Sequence, residues 1–408
     1  MRLADSLIDE ARASTGLDDF GGDSFREGLE RVTHALETEA QLSATGQAAL
    51  SRLMVGALRT RLYIEQWYKD HPETDDAPII GPLIALGLPR TGSTALAGLL
   101  AEDPDIRYLH RWEAAELVPP PASVTESPDP RLLRQIEIQS RRTELDKALV
   151  PSFPDGPQEC HELMLLDFKV HYFECFARVP SYAEWLLDAD LTETFQYMRR
   201  ALKYLQWGRP AKPWRLKNPN HLAHLVDIDK AFPDARFVMT HRDPTEVLVS
   251  VCDVYSNVAL RFNDTVDKHY IGAINTTVLA TGMARTLAFR DNGNSHRFYD
   301  IDFRAMQRDP IGEIRGLYDW LGAPATPAFE ENMRRWWKEN SEDRVRVKHA
   351  DPADYGLDLD AIRPRFAEYI DRAARWTSRP GTVPTHPTDA PASATSPAGG
   401  GLRPHDAS

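Results

Sequence analysis

The chain has 408 residues, of which 42% are hydrophobic and 27% are charged, a balance ordinary for a globular protein. Its formal net charge of −13 excludes a general nucleic-acid binder, because no overall basic field exists to attract a polyanion. Its three cysteines provide neither a disulfide framework nor metal-ligand spacing. No apolar run approaches the roughly 18 residues of a membrane span, and the start of the chain lacks the apolar core of a secretory signal. We therefore expect a cytoplasmic protein without a bound metal or a membrane segment.

Apolar residues recur at helical intervals through the first 70 residues. The pattern covers residues 3–8, 25–36 and 50–62. A polar stretch at 70–76 then interrupts it. The sequence therefore predicts an N-terminal helical region over residues 1–75.

A glycine-bearing turn follows the apolar run 83–86 and precedes a helix-like segment. This turn, residues 87–94, reads Gly-Leu-Pro-Arg-Thr-Gly-Ser-Thr. A strand, a glycine turn and a helix in this order aim backbone N–H groups at a phosphate, and the two glycines have the spacing of a nucleotide P-loop. The lysine that such a loop carries after its second glycine is replaced by Ser93, while Arg90 brings the positive charge. The sequence thus predicts a phosphate cradle that is not built for Mg-ATP.

Three further buried strands are expected, at 214–216, 236–240 and 297–301. Strands separated by helical runs imply a parallel sheet with right-handed crossovers. The expected fold is an α/β, P-loop-like parallel sheet flanked by helices over residues 76–377, joined to the N-terminal helical region and interrupted by a helical insertion over 110–200.

Two finer expectations complete the organisation of the chain. The apolar stretch 159–176 is expected to form a helix. The Pro-, Ser- and Gly-rich composition of 378–408 predicts a disordered tail, because it cannot bury enough apolar surface to fold.

A second phosphate motif is expected where the strand 236–240 ends. Arg242 leaves the strand, Pro244 can open a helix, and Ser250 lies two helical turns further along. Ligands of open α/β sheets bind beyond the carboxyl ends of the strands, so these residues can face the same site as the loop at 87–94. An arginine and a hydroxyl placed there suit a monoester phosphate.

Taken together, these motifs resemble the sulfotransferase family, whose donor is 3′-phosphoadenosine 5′-phosphosulfate (PAPS). The loop at 87–94 resembles the family's 5′-phosphosulfate loop, and Arg242 and Ser250 match its 3′-phosphate pair. Residues 216–221, Leu-Lys-Asn-Pro-Asn-His, are similar to a stretch of bacterial members, and the likeness spans about residues 78–360. The resemblance implies transfer of a sulfuryl group from PAPS to a hydroxyl, or an amine, of a small-molecule acceptor, without a metal.

The resemblance also implies roles for individual residues. Backbone and hydroxyl donors to the 5′-phosphosulfate are expected from Thr91, Gly92, Ser93 and Thr94. Arg90 and Lys217 are expected to neutralise charge on the bridging and leaving oxygens. The Arg-Lys-Gly segment that closes over the donor in the best-known members is absent, and the region around Arg344, Arg346 and Lys348 is the candidate replacement.

The acceptor hydroxyl requires a general base, and the sequence leaves two groups open for it. Glu113 is the first candidate, because tyrosyl-protein members of the family carry an acidic base in a comparable region, and His110 lies beside it. The second group consists of Glu159, His161 and Glu162.

Alternatives remain at this stage. A P-loop kinase would need the missing lysine, and a non-catalytic nucleotide-binding or scaffold protein would keep the fold without the chemistry. His221 and His224 lie three residues apart and are expected on a helix surface rather than at a metal. Apolar residues of the insertion allow an apolar or aromatic acceptor, and they are Phe168, Tyr172, Phe173 and Trp185. The insertion and the N-terminal helices are expected to shape the acceptor pocket or a dimer contact, which leaves a homo-oligomer open.

Overall fold

A computed structural model describes residues 2–341 and 348–378 of the chain. The tail expected beyond Ser378 and the candidate residues Arg344 and Arg346 lie outside the described residues. No described helix is long and apolar enough to cross a membrane.

Three helices occupy the N-terminal region, where the apolar spacing predicts them. They are α1 (Leu3–Thr15), α2 (Ser24–Thr38) and α3 (Ala44–Asp70). The Ser43 side chain caps α3 by accepting a hydrogen bond from the Gly46 backbone N–H at 3.0 Å. The helix ends shortly before Pro72, a residue that cannot continue it.

A parallel sheet forms the centre of the molecule, as predicted, and it has five strands where the sequence predicts four. Its strands are β1 (Leu83–Gly87), β2 (Arg107–Tyr108), β3 (Trp214–Lys217), β4 (Arg236–His241) and β5 (Phe298–Asp302). They lie in the order β2-β3-β1-β4-β5, and all neighbours run parallel. Two residues are too few to show a strand pattern, which is why the sequence did not predict β2.

Sixteen further α-helices surround the sheet in the described residues. Those of the first half are α4 (Ser93–Ala101), α5 (Arg111–Ala115), α6 (Pro130–Ser140), α7 (Glu144–Leu149), α8 (His161–Met164), α9 (Phe173–Phe176), α10 (Pro180–Asp188) and α11 (Thr192–Gln206). Those of the second half are α12 (Leu225–Ala231), α13 (Pro244–Ala259), α14 (Lys268–Phe289), α15 (Phe303–Arg308), α16 (Pro310–Leu321), α17 (Pro327–Ser341), α18 (Leu359–Ile362) and α19 (Ala367–Thr377).

Both faces of the sheet are buried, and β1 divides its side chains between them. Leu83 and Ala85 pack against α4, α16 and α17, while Ile84 and Leu86 face the larger core that includes the N-terminal helices. This alternation follows the two-residue period of a strand. The N-terminal helices therefore share one apolar core with the sheet.

The single helix expected over 159–176 is wrong, because the chain turns inside it. Phe168 adopts φ +54°, a left-handed conformation that no helix continues through. The Tyr182 hydroxyl lies inside this turn, donating to the Phe168 carbonyl at 2.8 Å and accepting from the Val170 N–H at 3.1 Å. The segment therefore divides into α8, a short 3₁₀ turn at Leu165–Asp167, and α9.

A buried ion pair joins the N-terminal helices to this turning segment. Arg61 of α3 donates to Asp167 at 2.9 Å, and each side chain is only 1% exposed. Arg61 also donates to the Phe20 carbonyl at 2.7 Å, and Asp167 accepts from the Thr194 hydroxyl at 2.6 Å. Because both charges are fully bonded, the pair tolerates burial.

Removal of either charge of the Arg61–Asp167 pair should therefore lower the stability of the fold. We expect Asp167→Asn to lower the free energy of unfolding by about 3–5 kcal/mol, because it leaves Arg61 buried without its counter-charge. Glu137→Gln removes an exposed pair with Arg141 and should cost about 0.5 kcal/mol or less. Urea unfolding followed by circular dichroism measures both, and equal losses would contradict a structural role for the buried pair.

Candidate functional site

The segment from the end of β1 to the start of α4 holds three residues with positive φ, namely Gly87 (φ +133°), Arg90 (φ +63°) and Gly92 (φ +90°). A Cβ on Gly87 would lie 2.6 Å from the carbonyl oxygen of Thr240 on β4, so only glycine fits at this approach of the two strands. Gly92 immediately precedes α4 and offers no side chain to cap it. The first N–H groups of α4 have no acceptor within the helix and form a suitable site for an anion.

Two arginines meet beside this loop. Arg90 donates through Nε to the Ser250 hydroxyl at 3.0 Å and through Nη1 to the Leu149 carbonyl at 2.7 Å. Arg242 donates to the Arg90 carbonyl at 3.1 Å, and its guanidinium lies 4.7 Å from the centre of the Phe303 ring. The structure thus brings Arg90, Arg242 and Ser250 together, although the three residues come from two separate motifs.

The charge on Arg90 has no carboxylate partner within ion-pair distance in residues 2–341 and 348–378. Burial lowers the pKa of its guanidinium, and the neighbouring Arg242 lowers it further by repulsion. Arg242 is paired with Glu246 at 2.9 Å. An anion bound between the two guanidinium groups would relieve this repulsion.

The hydroxyl of Thr91 has a different role from the one expected. It is fully buried, donates to the Leu88 carbonyl at 2.7 Å and lies 2.6 Å from the Thr240 hydroxyl. These contacts fix the loop to β4. Because both partners of the hydroxyl lie inside the protein, it is not available to bind a nucleotide. Ser93 and Thr94, in contrast, line the cavity described below.

A chain of polar contacts runs from α4 across the end of β3. Lys217 donates to the Thr94 hydroxyl at 3.4 Å and to Glu159 at 3.3 Å. His161 lies between two carboxylates, with Nδ1 3.1 Å from Glu159 and Nε2 3.4 Å from Glu162. We call Glu159, His161 and Glu162 the acid–base trio.

Two residues extend the chain of contacts at its far end. Gln158 donates to Glu162 at 3.0 Å and accepts from Arg111 at 2.9 Å. Arg111 and Gln158 were not singled out by the sequence analysis, because neither residue belongs to a recognisable motif.

Mutual electrostatics set the protonation of the trio. Burial would raise the pKa of Glu159, but Lys217 and His161 outweigh it and lower that pKa to about 2. Burial would lower the pKa of His161, but the hydrogen bonds to Glu159 and Glu162 raise it to about 9. For Glu162, the bond to His161 outweighs burial and lowers the pKa. At neutral pH the trio is therefore an imidazolium between two carboxylates.

A cavity of about 560 Å³ opens against the loop and the trio. This volume lies within the range typical of small-molecule sites. Its polar end contains Arg90, Ser93, Thr94, Lys217 and the trio. Its apolar walls include Tyr172, Phe176, Val251, Tyr255 and Val258. Arg242 and Ser250 do not line the cavity themselves, but both are hydrogen-bonded to Arg90, which does.

The first candidate base does not reach the cavity. Glu113 is fully buried and accepts hydrogen bonds from Arg107 at 3.0 Å and Arg209 at 3.1 Å. His110 lies 2.8 Å from Asp155 and also does not line the cavity. Arg107 on β2 holds the Glu113 side chain inward, so the structure favours the trio over the Glu113 region.

Among the four apolar residues expected near the acceptor, only Tyr172 lines the cavity. Phe168 and Phe173 are fully buried in the core. The wall that the sequence analysis missed belongs to α13, where Val251, Tyr255 and Val258 recur at intervals of four and three residues. Such spacing places the three side chains on one face of a helix, and it is the feature of the sequence from which this wall could have been predicted.

His221 and His224 are not on a helix surface, contrary to expectation. They are 1% and 3% exposed and lie in and just after a 3₁₀ turn at Pro219–Ala223. Burial lowers the pKa of His221 to about 3, and burial also lowers that of His224, so both rings are neutral at physiological pH.

Comparison with known proteins identifies relatives over most of the chain. Residues 82–327 match the model of the sulfotransferase family. The crystal structure of sulfotransferase STF9 from Mycobacterium avium superposes with a TM-score of 0.83 at 33% identity, covering 91% of this chain and 97% of that one. Sulfotransferase STF1 from Mycobacterium tuberculosis superposes with a TM-score of 0.77 at 30% identity, covering 89% and 98%.

A curated relative gives a shorter match. Omega-hydroxy-beta-dihydromenaquinone-9 sulfotransferase Stf3 from Mycobacterium bovis is 26% identical over 172 residues, or 40% of this chain. The match spans 44% of the length of that relative.

The burial of Glu113 generates a prediction that separates stability from activity. We expect Glu113→Gln to lower the melting temperature by several degrees, because it leaves Arg107 and Arg209 without a counter-charge. The folded fraction should keep its nucleotide affinity and its turnover. Differential scanning calorimetry and activity per folded molecule measure the two effects, and a loss of turnover in a fully stable variant would return Glu113 to the list of candidate bases.

Proposed function

We propose that this chain, which belongs to the sulfotransferase family, transfers the sulfuryl group of PAPS to a hydroxyl, or less favourably an amine, of a small-molecule acceptor. The observation that carries the proposal is the meeting of Arg90, Arg242 and Ser250 beside the uncapped start of α4. A phosphate cradle next to a second, arginine-based anion site suits a nucleotide that carries phosphate groups at two positions.

PAPS supplies the activated sulfuryl group and leaves as 3′-phosphoadenosine 5′-phosphate (PAP). The N–H groups at the start of α4, with Ser93 and Thr94, would hold its 5′ group, and Arg242 and Ser250 its 3′-phosphate. Among the described residues Arg90 has no carboxylate partner, and Arg242 repels its charge; both facts support this assignment, since a bound anion would compensate that charge. Lys217 lies between Thr94 and Glu159, where its ammonium can neutralise charge that gathers on the leaving group.

Proton removal from the acceptor is assigned to the trio. His161 is protonated below a pH of about 9 and cannot accept a proton in that range. Glu159 is bonded to both Lys217 and His161, which makes it the weaker base. We therefore assign to Glu162 the role of the base that accepts the proton of the acceptor hydroxyl. His161 orients the Glu162 carboxylate from one side, and Gln158 donates a hydrogen bond to it from the other.

The lining of the cavity and the name of one relative favour an acceptor that carries its hydroxyl group on an apolar molecule. Beyond the trio, the cavity walls include the aliphatic and aromatic side chains of Tyr172, Phe176, Val251, Tyr255 and Val258. The name of the Mycobacterium bovis relative specifies an omega-hydroxy compound as its acceptor. An apolar hydroxyl compound is thus the proposed acceptor class.

Calorimetric titration with PAP in the absence of magnesium tests the donor site. We expect micromolar binding that exceeds the binding of Mg-ATP. Arg242→Ala should weaken PAP binding at least about tenfold, since hydrogen bonds to charged groups contribute about 1.5–3 kcal/mol. Arg304→Ala is a matched control, because Arg304 is an exposed arginine that shares the partner Glu246. A preference for Mg-ATP would overturn the assignment in favour of a kinase.

The pH dependence of kcat tests the assignment of the proton. With an alcohol acceptor and Glu162 as the base, kcat should be nearly constant between about pH 6 and 8, because the carboxylate is ionised throughout. If neutral His161 were the base, kcat would rise about tenfold per pH unit toward its pKa of about 9.

Substitution of the base gives a second measurement of the same step. Glu162→Gln should lower kcat by about 10²–10⁴ and leave the affinity for PAP unchanged. Glu137→Gln on the surface is the control, and undiminished turnover by the Glu162 variant would exclude Glu162 as the base.

A further inference from the structure

Arg111, the first residue of α5, lines the cavity and has no role in the chemistry assigned so far. An arginine guanidinium has five N–H donors. Within the described residues, the Arg111 side chain makes one hydrogen bond, from Nη2 to the side chain of Gln158 at 2.9 Å. Its Nε and Nη1 atoms have no partner there and, unlike the Nε of Arg107, they are not buried. Both atoms can therefore donate to a molecule that occupies the cavity.

The charge of Arg111 also lacks a close counter-charge. No carboxylate of residues 2–341 or 348–378 lies within ion-pair distance of it. Burial lowers the pKa of the guanidinium, and the attraction of Glu162 offsets only part of that effect. Gln158 separates the two charges, because it accepts from Arg111 and donates to Glu162 at 3.0 Å. An anion in direct contact with Arg111 would compensate its charge more fully.

A second arginine of the cavity wall is in the same situation. Arg142 donates through its two Nη atoms to uncharged oxygens only, two of which are backbone carbonyls. Burial lowers the pKa of Arg142, and repulsion by Arg111 lowers it further, so the two guanidinium groups are neighbours. Arg261 lines the same cavity but is paired with Asp146. Two adjacent positive charges thus remain without a carboxylate contact in the described part of the chain.

The carboxylates of the cavity wall are already occupied. Each of the four that the described residues contribute has a basic partner within 4.0 Å, in the pairs Asp146–Arg261, Glu159–Lys217, Glu162–His161 and Glu174–His171. The unpaired charge of this cavity is therefore positive, and it favours an anionic group on the molecule that binds there.

Arg111 lies close to the acid–base trio. The Tyr172 ring stacks on His161, with the two ring centres 4.6 Å apart. Burial raises the pKa of Tyr172, and Arg111 offsets part of this rise, so the guanidinium is near the phenol. Through Gln158, Arg111 is also one side chain away from Glu162. The proposed base, an aromatic ring and a guanidinium with free donors consequently border the same part of the cavity.

We propose that Arg111 binds a carboxylate of the acceptor, so that the substrate is a hydroxylated carboxylic acid with its hydroxyl at Glu162 and its apolar body along Tyr172. The proposal rests on the proposed function, since it concerns the acceptor of that reaction. The carboxylate accepts charge-assisted hydrogen bonds from Nε or Nη1, and the charge of Arg142 adds to the attraction. An ammonium group at the same place is repelled.

A carboxylic acid and its primary amide are similar in shape and differ in charge, and such pairs test the proposal. The longer pair is 3-(4-hydroxyphenyl)propionate and its amide, and the shorter pair is 4-hydroxyphenylacetate and its amide. In the pair whose length fits, we expect kcat/KM for O-sulfation of the acid to exceed that of the amide at least about tenfold, mainly through KM. Tyramine, which carries an ammonium group, should be the poorest acceptor.

Variants of Arg111 show whether this residue causes the preference. Arg111→Gln should bring the ratio of acid to amide to about one and leave the affinity for PAP unchanged, while Arg111→Lys should retain part of the preference. Arg141→Gln is the matched control, because Arg141 is exposed and paired with Glu137, and it should preserve the ratio. If Arg111→Gln lowers kcat equally for acid and amide and keeps their ratio, Arg111 only positions Gln158 and the proposal is wrong.

The wild-type protein alone decides the matter if the Arg111 variants do not fold. Calorimetric titration of the enzyme–PAP complex compares acid and amide without turnover, and the acid should bind at least about tenfold more tightly. Equal affinities in both pairs would overturn the assignment of Arg111 while leaving the sulfotransferase function intact. Failure of PAP to bind, with no sulfation of any phenol, would instead reject the proposed function itself.

Discussion

The close approach of β1 and β4 at Gly87 is the constraint on which the rest of the site depends. A side chain at that position would press on the Thr240 carbonyl and separate the two strands. With glycine there, the loop after β1 reaches β4 closely enough for Thr91 to contact the Thr240 hydroxyl. The same proximity allows Arg90 to bond Ser250 on the helix that follows β4. Two segments separated by about 150 residues, each proposed to bind an anion, thereby lie side by side.

The polar end of the cavity is organised by alternating charge. Positive Lys217, negative Glu159, positive His161 and negative Glu162 follow one another at contact distance. Lys217 and His161 stabilise the ionised form of Glu159, and the two carboxylates keep the histidine cationic at neutral pH. Hydrogen-bonded rows of this kind are strengthened as a set, so each of these residues positions its neighbours.

The fold, and the meeting of Arg90 with Arg242 and Ser250, could be predicted from sequence because they rest on local signals. A strand, a glycine turn and a helix are recognisable within 15 residues, and the pair Arg242 and Ser250 has a fixed helical spacing. Proton transfer could not be assigned in this way. Glu113 and Glu162 look alike in sequence, and only the tertiary fold shows that Arg107 and Arg209 occupy the first while the second faces the cavity. The burial of His221 and the turn at Phe168 likewise depend on residues distant in sequence.

The bond from Arg90 to the Leu149 carbonyl has a consequence for how the two substrates communicate. Leu149 ends α7, and the next two residues, Val150 and Pro151, form part of the cavity wall. Arg90 therefore belongs to the loop between β1 and α4 and also anchors one wall of the cavity through its guanidinium. Under the proposed function, Arg90 connects the donor site to the acceptor site, and the kinetic constants of an Arg90 variant would report on both substrates at once.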